Sequence, residues 1–166
     1  RRWMLVDENN RFLTQRELPQ LVLSRLTVAE EGFRMHIKDD YLSFPRATQE
    51  GEALNAVIWG DQVVVVEWNP KASRWISQQL GFNCRLVYFP ESKPRRVDPD
   101  FVSEDLNVSL ADGYPYLVIG ESSLADLNQR LKDPVSMMRF RPNLVFTGGQ
   151  PFEEDTWRDL VIGSVK

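Results

Sequence analysis

Residues 56–89 read AVIWGDQVVVVEWNPKASRWISQQLGFNCRLVYF, and this stretch decides the fold class. The apolar run Ala56–Trp59 and the run Val63-Val64-Val65-Val66 flank Gly60-Asp61. Glycine supplies the positive φ of a tight turn, so the runs are predicted to pair as a hairpin whose second strand is buried. Asn69 can then accept hydrogen bonds from the first amides of a helix, and Pro70 suits N1, where no amide donor is needed. Ala72, Trp75, Ile76 and Leu80 recur on one face, and Gly81 is the C-terminal stop. Strand character resumes at Cys84-Arg85-Leu86-Val87-Tyr88-Phe89. One helix embedded among hairpin-connected strands is the pattern of a β-rich α+β protein rather than a doubly wound parallel sheet.

Outward from this stretch the same periods continue. Upstream, Trp3 and Leu5, and then Phe33, Met35 and Ile37, alternate with polar residues as half-buried strands require. Downstream, Pro90, Pro94 and Pro99 are interleaved with Lys93, Arg95, Arg96 and several acids. This reads as a linker over residues 90–107 between a first domain, 1–89, and a second, 108–166. In the second, Tyr116–Ile119 reads as a strand, and Leu124, Leu127 and Leu131 recur at helical spacing behind a Ser122/Ser123 cap. Asp133-Pro134 ends that helix. Leu144-Val145-Phe146 before Gly148-Gly149, and Leu160-Val161-Ile162, are further strand candidates. No internal repeat or low-complexity tract interrupts the chain.

The 166 residues include 42% hydrophobic residues, five Trp and nine Phe, enough apolar material for a globular core. A formal charge of -4 argues against a surface built to neutralise a phosphate backbone, so nucleic acid is not expected as a partner. The single cysteine, Cys84, cannot form an internal disulfide, and no run approaches the roughly 20 apolar residues that span a bilayer. A cytoplasmic protein without membrane contact in this region is the expectation. Because the sequence starts at Arg1 with no initiator methionine and stops after Val165-Lys166, it reads as a piece of a longer chain.

The usual catalytic signatures are missing. There is no Gly-x-Ser-x-Gly elbow, phosphate-cradling glycine loop, Cys-x-x-Cys or histidine pair at metal-ligand spacing. His36 is the only histidine and sits in an alternating strand, so a surface or cross-strand role rather than acid/base catalysis is expected. Cys84 lies between Asn83 and Arg85 in a strand, where cysteine acts as a small buried hydrophobe. The Lys93-Pro94-Arg95-Arg96 cluster is offset by Glu91, Asp98 and Asp100 and reads as a solvated loop. Neither catalytic residues nor metal ligands are assigned.

A distributed set of segments is more informative. Arg1-Arg2-Trp3-Met4-Leu5-Val6-Asp7-Glu8-Asn9, Phe12–Arg16 with Pro19, Ala72–Ile76 with Leu80, and Cys84–Phe89 resemble the MOSC N-terminal β-barrel domain. Asp112-Gly113-Tyr114-Pro115, Ser122–Asn128, Phe140-Arg141-Pro142-Asn143 and Glu154-Asp155-Thr156-Trp157 follow in the order of the MOSC domain itself. The chain thus resembles the MOSC family of molybdenum-cofactor proteins, in particular the branch of amidoxime-reducing components and their bacterial relatives. The fold implied is the N-terminal β-barrel domain followed by part of a MOSC β-barrel domain.

The resemblance implies an oxidoreductase that binds molybdopterin, the molybdenum cofactor, and reduces N-hydroxylated compounds. Its electrons are expected from a flavin or iron–sulfur protein, or from a fused ferredoxin domain. Arg1, Asp112, Gly113, Tyr114, Arg141 and Asn143 match cofactor-contacting positions. Each type suits that work: arginine offers a planar fork of charge-assisted donors to a phosphate, turn amides can bond an anion, and an asparagine amide both donates and accepts. Without the resemblance, Asp112-Gly113 is an ordinary turn signal. Arg141 likewise reads as an extended residue before Pro142 at the entry of a strand. The family's Lys-Ser pair is expected upstream of Arg1, and its molybdenum-ligating cysteine beyond Lys166, so this piece is expected to fold without holding molybdenum productively. The resemblance leaves open a cofactor-receiving module of a molybdenum cofactor sulfurase, with its pyridoxal-phosphate domain elsewhere, or a non-catalytic carrier or interaction module.

Overall fold

The computed structural model describes residues 2–30, 32–45, 51–97, 100, 106–111, 114 and 116–165. The chain divides into two compact units, Arg1–Gly113 and Tyr114–Lys166. The first contains strands β1 (Trp3–Val6), β2 (Ser24–Ala29), β3 (Gly32–Ile37), β4 (Asp40–Pro45), β5 (Ala53–Ile58) and β6 (Asp61–Glu67). Helix α1 (Pro70–Leu80) and strand β7 (Arg85–Tyr88) complete it.

Strands β1, β7, β6 and β5 form one antiparallel sheet in that order, and β2, β3 and β4 form another. The β5–β6 hairpin forms as the sequence indicates, but its register pairs Ile58 with Asp61, so the loop is Trp59-Gly60, one residue earlier than read. Both loop residues have positive φ, 54° and 97°. The strand pairing set by Ala56–Ile58 and Val63–Val65 decides the register, and Trp59 accepts the left-handed conformation.

The first sheet curls, and residues 10–13 close the curl. The Phe12 amide donates to the Val57 carbonyl at 3.0 Å, Val57 donates to Asn10 at 3.0 Å, and Leu13 donates to Leu5 at 2.9 Å. This segment therefore bridges the free edges of β5 and β1, which satisfies backbone groups that an open sheet would leave bare. Alternation then separates two cores. Met4, Val6, Ala56, Ile58, Val63, Val65, Val87 and Phe89 fill the inside of the curl together with Leu110. Leu5 and Leu86 point the other way and pack with Ile37, Phe44 and Trp68 against Ala72, Ile76 and Leu80 of α1. Helix α1 matches its sequence signals: the Asn69 side chain accepts from Lys71 and Ala72 amides, and Gly81 closes it at φ 65°.

The stretch read as a linker is in part packed. Arg95 donates to Asp61 Oδ2 at 2.8 Å and, through Nη1, to the carbonyls of Ser109 (2.8 Å) and Ala111 (2.7 Å). Its guanidinium thereby holds segment 109–111 beside the start of β6, and Val108, Leu110 and Ala111 are buried. Arg95 is thus not the solvated residue that its charged neighbours suggest.

The second unit has strand β8 (Val118–Gly120), helix α2 (Glu121–Arg130) and strand β9 (Leu144–Phe146). β8 and β9 run parallel, with α2 in the connection between them, as a parallel pair needs a crossover. Leu160-Val161-Ile162 is not a strand; Ile162 makes only an isolated bridge to Val165. With Gly163 at φ 63° between them, the chain turns back on itself before a strand can extend.

Candidate cofactor-binding site

Of the six positions assigned from the sequence, Arg1, Asp112 and Gly113 lie outside the described residues. Tyr114 opens the second unit and is exposed. Arg141 and Asn143 stand together at the entry of β9. The Asn143 amide donates to the Leu117 carbonyl at 2.9 Å, and the Leu117 amide donates to Asn143 Oδ1 at 3.0 Å. Asn143 therefore fastens the start of β8 to the start of β9 with both its backbone and its side-chain oxygen. Its remaining side-chain group, the Nδ2 amino group, is the part left to donate to a ligand.

Arg141 differs from the extended geometry that Pro142 suggests. A 3-10 turn over Met137–Arg139 precedes it, its amide donates to the Met138 carbonyl at 3.3 Å, and its φ is 54°. The chain reverses here after the turn, in a conformation that glycine usually supplies, and for an L residue the left-handed region costs about 1–2 kcal/mol. Arg141 is exposed and makes no ion pair among the described residues. A strained cation with no ion pair among the described residues, beside a pinned amide side chain, is the kind of local expense that accompanies ligand sites.

At the other end of the β8–β9 pair lies a clasp that the sequence reading missed. Glu154 Oε1 accepts from the Gly120 amide at 2.8 Å, and Oε2 accepts from the Ser123 hydroxyl at 2.8 Å. Ser123 Oγ in turn accepts from the Phe152 amide at 2.8 Å. The N-cap of α2 is thus Gly120 without a side-chain cap, not a serine, and a carboxylate from far along the chain supplies the missing acceptor. No signal for this pairing is visible locally, because the partners are 34 and 31 residues apart. A Cβ on Gly120 would lie 2.8 Å from the Phe146 ring, so this junction of β8 and α2 also requires the smallest residue.

Desolvation pushes the Glu154 carboxyl up, but the hydrogen bonds from Gly120 and Ser123 outweigh it, and its pKa lies below the ordinary glutamate value. A depressed folded-state pKa contributes stability that is present above the unfolded value and lost as pH falls through the folded one. Acidification below the ordinary glutamate range is therefore expected to loosen the start of α2. In an NMR titration the Gly120 and Phe152 amides should move together at this depressed midpoint, and Glu154→Gln should erase the transition. Movement at the ordinary glutamate midpoint would show that the clasp does not hold the ionised form.

Cys84 and His36 take the structural places anticipated for them. Cys84 is buried beside α1, its Sγ 3.6 Å from Ser77 Oγ; burial pushes the thiol pKa up while the Ser77 contact pulls it partly back. A thiol held in its protonated form is a poor soft-metal ligand. His36 packs across strands on Tyr41, with ring centroids 5.7 Å apart. Among the described residues no group of three His, Cys, Asp or Glu side chains is placed to hold a metal ion. No helix among them is long and apolar enough to cross a membrane.

The family model described as the MOSC N-terminal beta barrel domain matches residues 1–83, and the MOSC domain model matches residues 105–166. The chain belongs to the MOSC family. It is 34% identical over 173 residues to mitochondrial amidoxime-reducing component 1 of Mus musculus, covering 99% of this chain and 50% of that protein. It is 30% identical over 183 residues to molybdenum cofactor sulfurase of Oryza sativa subsp. japonica, covering 98% of this chain and 22% of that one. The MOSC chain thus spans about half the length, or less, of these curated relatives. A Bordetella bronchiseptica protein of known solution structure shares the fold, with a TM-score of 0.50 at 18% identity over 61% of this chain and 82% of that one. The β-rich α+β architecture with a curled sheet agrees with this family assignment.

Proposed function

We propose that this MOSC chain forms part of a molybdopterin-binding oxidoreductase that reduces N-hydroxylated compounds, and that Arg141 and Asn143 face the cofactor. The observation that carries this reading is Arg141, an exposed arginine held at φ 54° next to Asn143. The donor set fits the anionic end of the cofactor: the guanidinium gives a phosphate paired, charge-assisted hydrogen bonds, and Asn143 Nδ2 can donate to a pterin edge. When bound, the cofactor supplies the two-electron redox chemistry. Reducing N–OH to N–H consumes two electrons and two protons and releases water, so a separate electron donor is required. A flavin or iron–sulfur protein, or a fused ferredoxin domain, is the proposed source.

Asn143 contributes positioning as well as binding, because its Oδ1 locks the β8 and β9 entries at a fixed spacing and holds Arg141 at the same end of the strand pair. The similarity to a molybdenum cofactor sulfurase supports a second reading, in which the same residues receive the cofactor without reducing a substrate. Expression of the longer parent chain in a host that makes molybdenum cofactor, followed by assay of bound pterin and molybdenum, tests both. The expected result is co-purifying pterin, together with reduction of a benzamidoxime when a chemical reductant is supplied. Pterin without reduction favours the receiving module, and absence of pterin rejects cofactor binding altogether.

A further inference from the structure

The strand edges of the first unit are not treated alike. Those of β1 and β5 are bridged by residues 10–13, and β4 ends at Pro45, which has no amide to offer a neighbour. β2 pairs on one side with β3, and among the described residues no strand pairs with its other side. Its register with β3 runs unbroken from Ser24↔Ile37 to Ala29↔Gly32, so no bulge turns the edge away. Along it Leu26 is 55% and Val28 66% exposed, following Val22 at 69% and Leu23 at 52%. An unbroken edge that carries exposed apolar side chains is a template for another strand, and Arg25 is the one charge within this one.

We propose that β2 pairs with β2 of a second copy of this chain, antiparallel about a two-fold axis through Thr27. Residue pattern selects both the partner and the register. Centred on Thr27, Leu26 faces Val28 of the second copy, Val28 faces its Leu26, Thr27 faces Thr27, and Arg25 faces Ala29. Even-numbered residues then meet even-numbered ones, so the backbone groups directed at the open edge in one copy meet those of the other. Both apolar pairs form on one face, a threonine pair on the opposite face, and no like charges stand opposite each other.

The other two-fold registers are poorer. Centring on Arg25 puts that cation against itself, centring on Leu26 sets Val28 against Ser24, and centring on Val28 sets Leu26 against Glu30. Pairing about Thr27 joins two three-stranded sheets into one of six strands and closes the association at two copies, because each edge is used once.

Sedimentation equilibrium of the 166-residue chain tests the association, and cysteine trapping tests its register. A reversible monomer–dimer equilibrium is expected. Val28→Lys, with an unchanged circular dichroism spectrum, should weaken dimerisation by roughly tenfold or more, since it places a cation in both apolar pairs. Thr27→Cys should form an intermolecular disulfide on mild oxidation, because directly opposed Cα atoms lie within bridging range. Arg25→Cys should not link to itself, since its two copies are roughly 13 Å apart along the strands. The buried Cys84 makes the wild type the silent control. A monomer at every concentration, open-ended growth beyond two copies, or equal trapping at positions 25 and 27 would overturn the proposal.

Discussion

Trp68→Ala is expected to destabilise the first unit by about 3–5 kcal/mol, the usual loss when a buried aromatic side chain is cut back. Trp68 is 2% exposed and lies at the centre of an aromatic cluster. Its ring meets Phe44 at 4.8 Å, Trp3 at 5.5 Å and Phe33 at 6.0 Å between centroids, all in edge-on geometry. These contacts join β1, β3 and β4 to the residue that follows β6, so truncation opens a cavity where the two sheets and α1 meet. The indole also carries a cost, since Nε1 is buried without a hydrogen-bond partner. Trp68→Phe loses some packing but removes an unsatisfied donor worth about 1–3 kcal/mol, so it should stay within about 1 kcal/mol of wild type. Urea unfolding followed by circular dichroism separates the two variants. Equal damage from both would mean that the indole N–H has an acceptor.

The first unit was legible because its signals are local and mutually consistent. Asn69, Pro70 and Gly81 mark the ends of α1 within single turns, and the alternation in Ala56–Ile58 and Val63–Val65 sends Ala56, Ile58, Val63 and Val65 into one core and leaves Val57 exposed on the other face. What could not be read is the closure of the curl by residues 10–13. It depends on backbone hydrogen bonds to Val57 and Leu5, and backbone groups leave no trace in side-chain pattern. Arg95 was hidden for a related reason. Its charge and neighbours are those of a solvated loop, while its burial comes from the carbonyls of Ser109 and Ala111, which any residue type could present.

The second unit was harder to read because it makes few local decisions. Its strands are three residues long, and the start of α2 is satisfied by Glu154 rather than by an adjacent serine. Ser122 and Ser123 have the composition of a cap, but Ser123 is recruited into the Glu154 clasp and the Ser122 hydroxyl is buried without a partner. The site residues were reached through resemblance, and physical chemistry alone gave Arg141-Pro142-Asn143 only as a strand entry. The preference of a pre-proline residue for extended geometry was overridden at Arg141 by the preceding 3-10 turn. That override is the feature a sequence pattern could not supply.

Arg141→Ala in the longer, cofactor-loaded protein is expected to reduce pterin retention by roughly 10- to 150-fold, corresponding to about 1.5–3 kcal/mol for a charge-assisted hydrogen bond. The fold should survive, since Arg141 is exposed and contributes no ion pair among the described residues. Arg141→Gly separates backbone from side chain: glycine accepts φ 54° without strain, so this variant should match or exceed wild-type stability while losing retention as the alanine variant does. Arg141→Lys should recover only part of the loss, because a single ammonium cannot reproduce the paired donors of a guanidinium. Retention by dialysis and thermal unfolding of the same samples give the two readouts. If the glycine variant gains stability and keeps its pterin, the strain at Arg141 belongs to the turn alone and the cofactor contact must lie elsewhere.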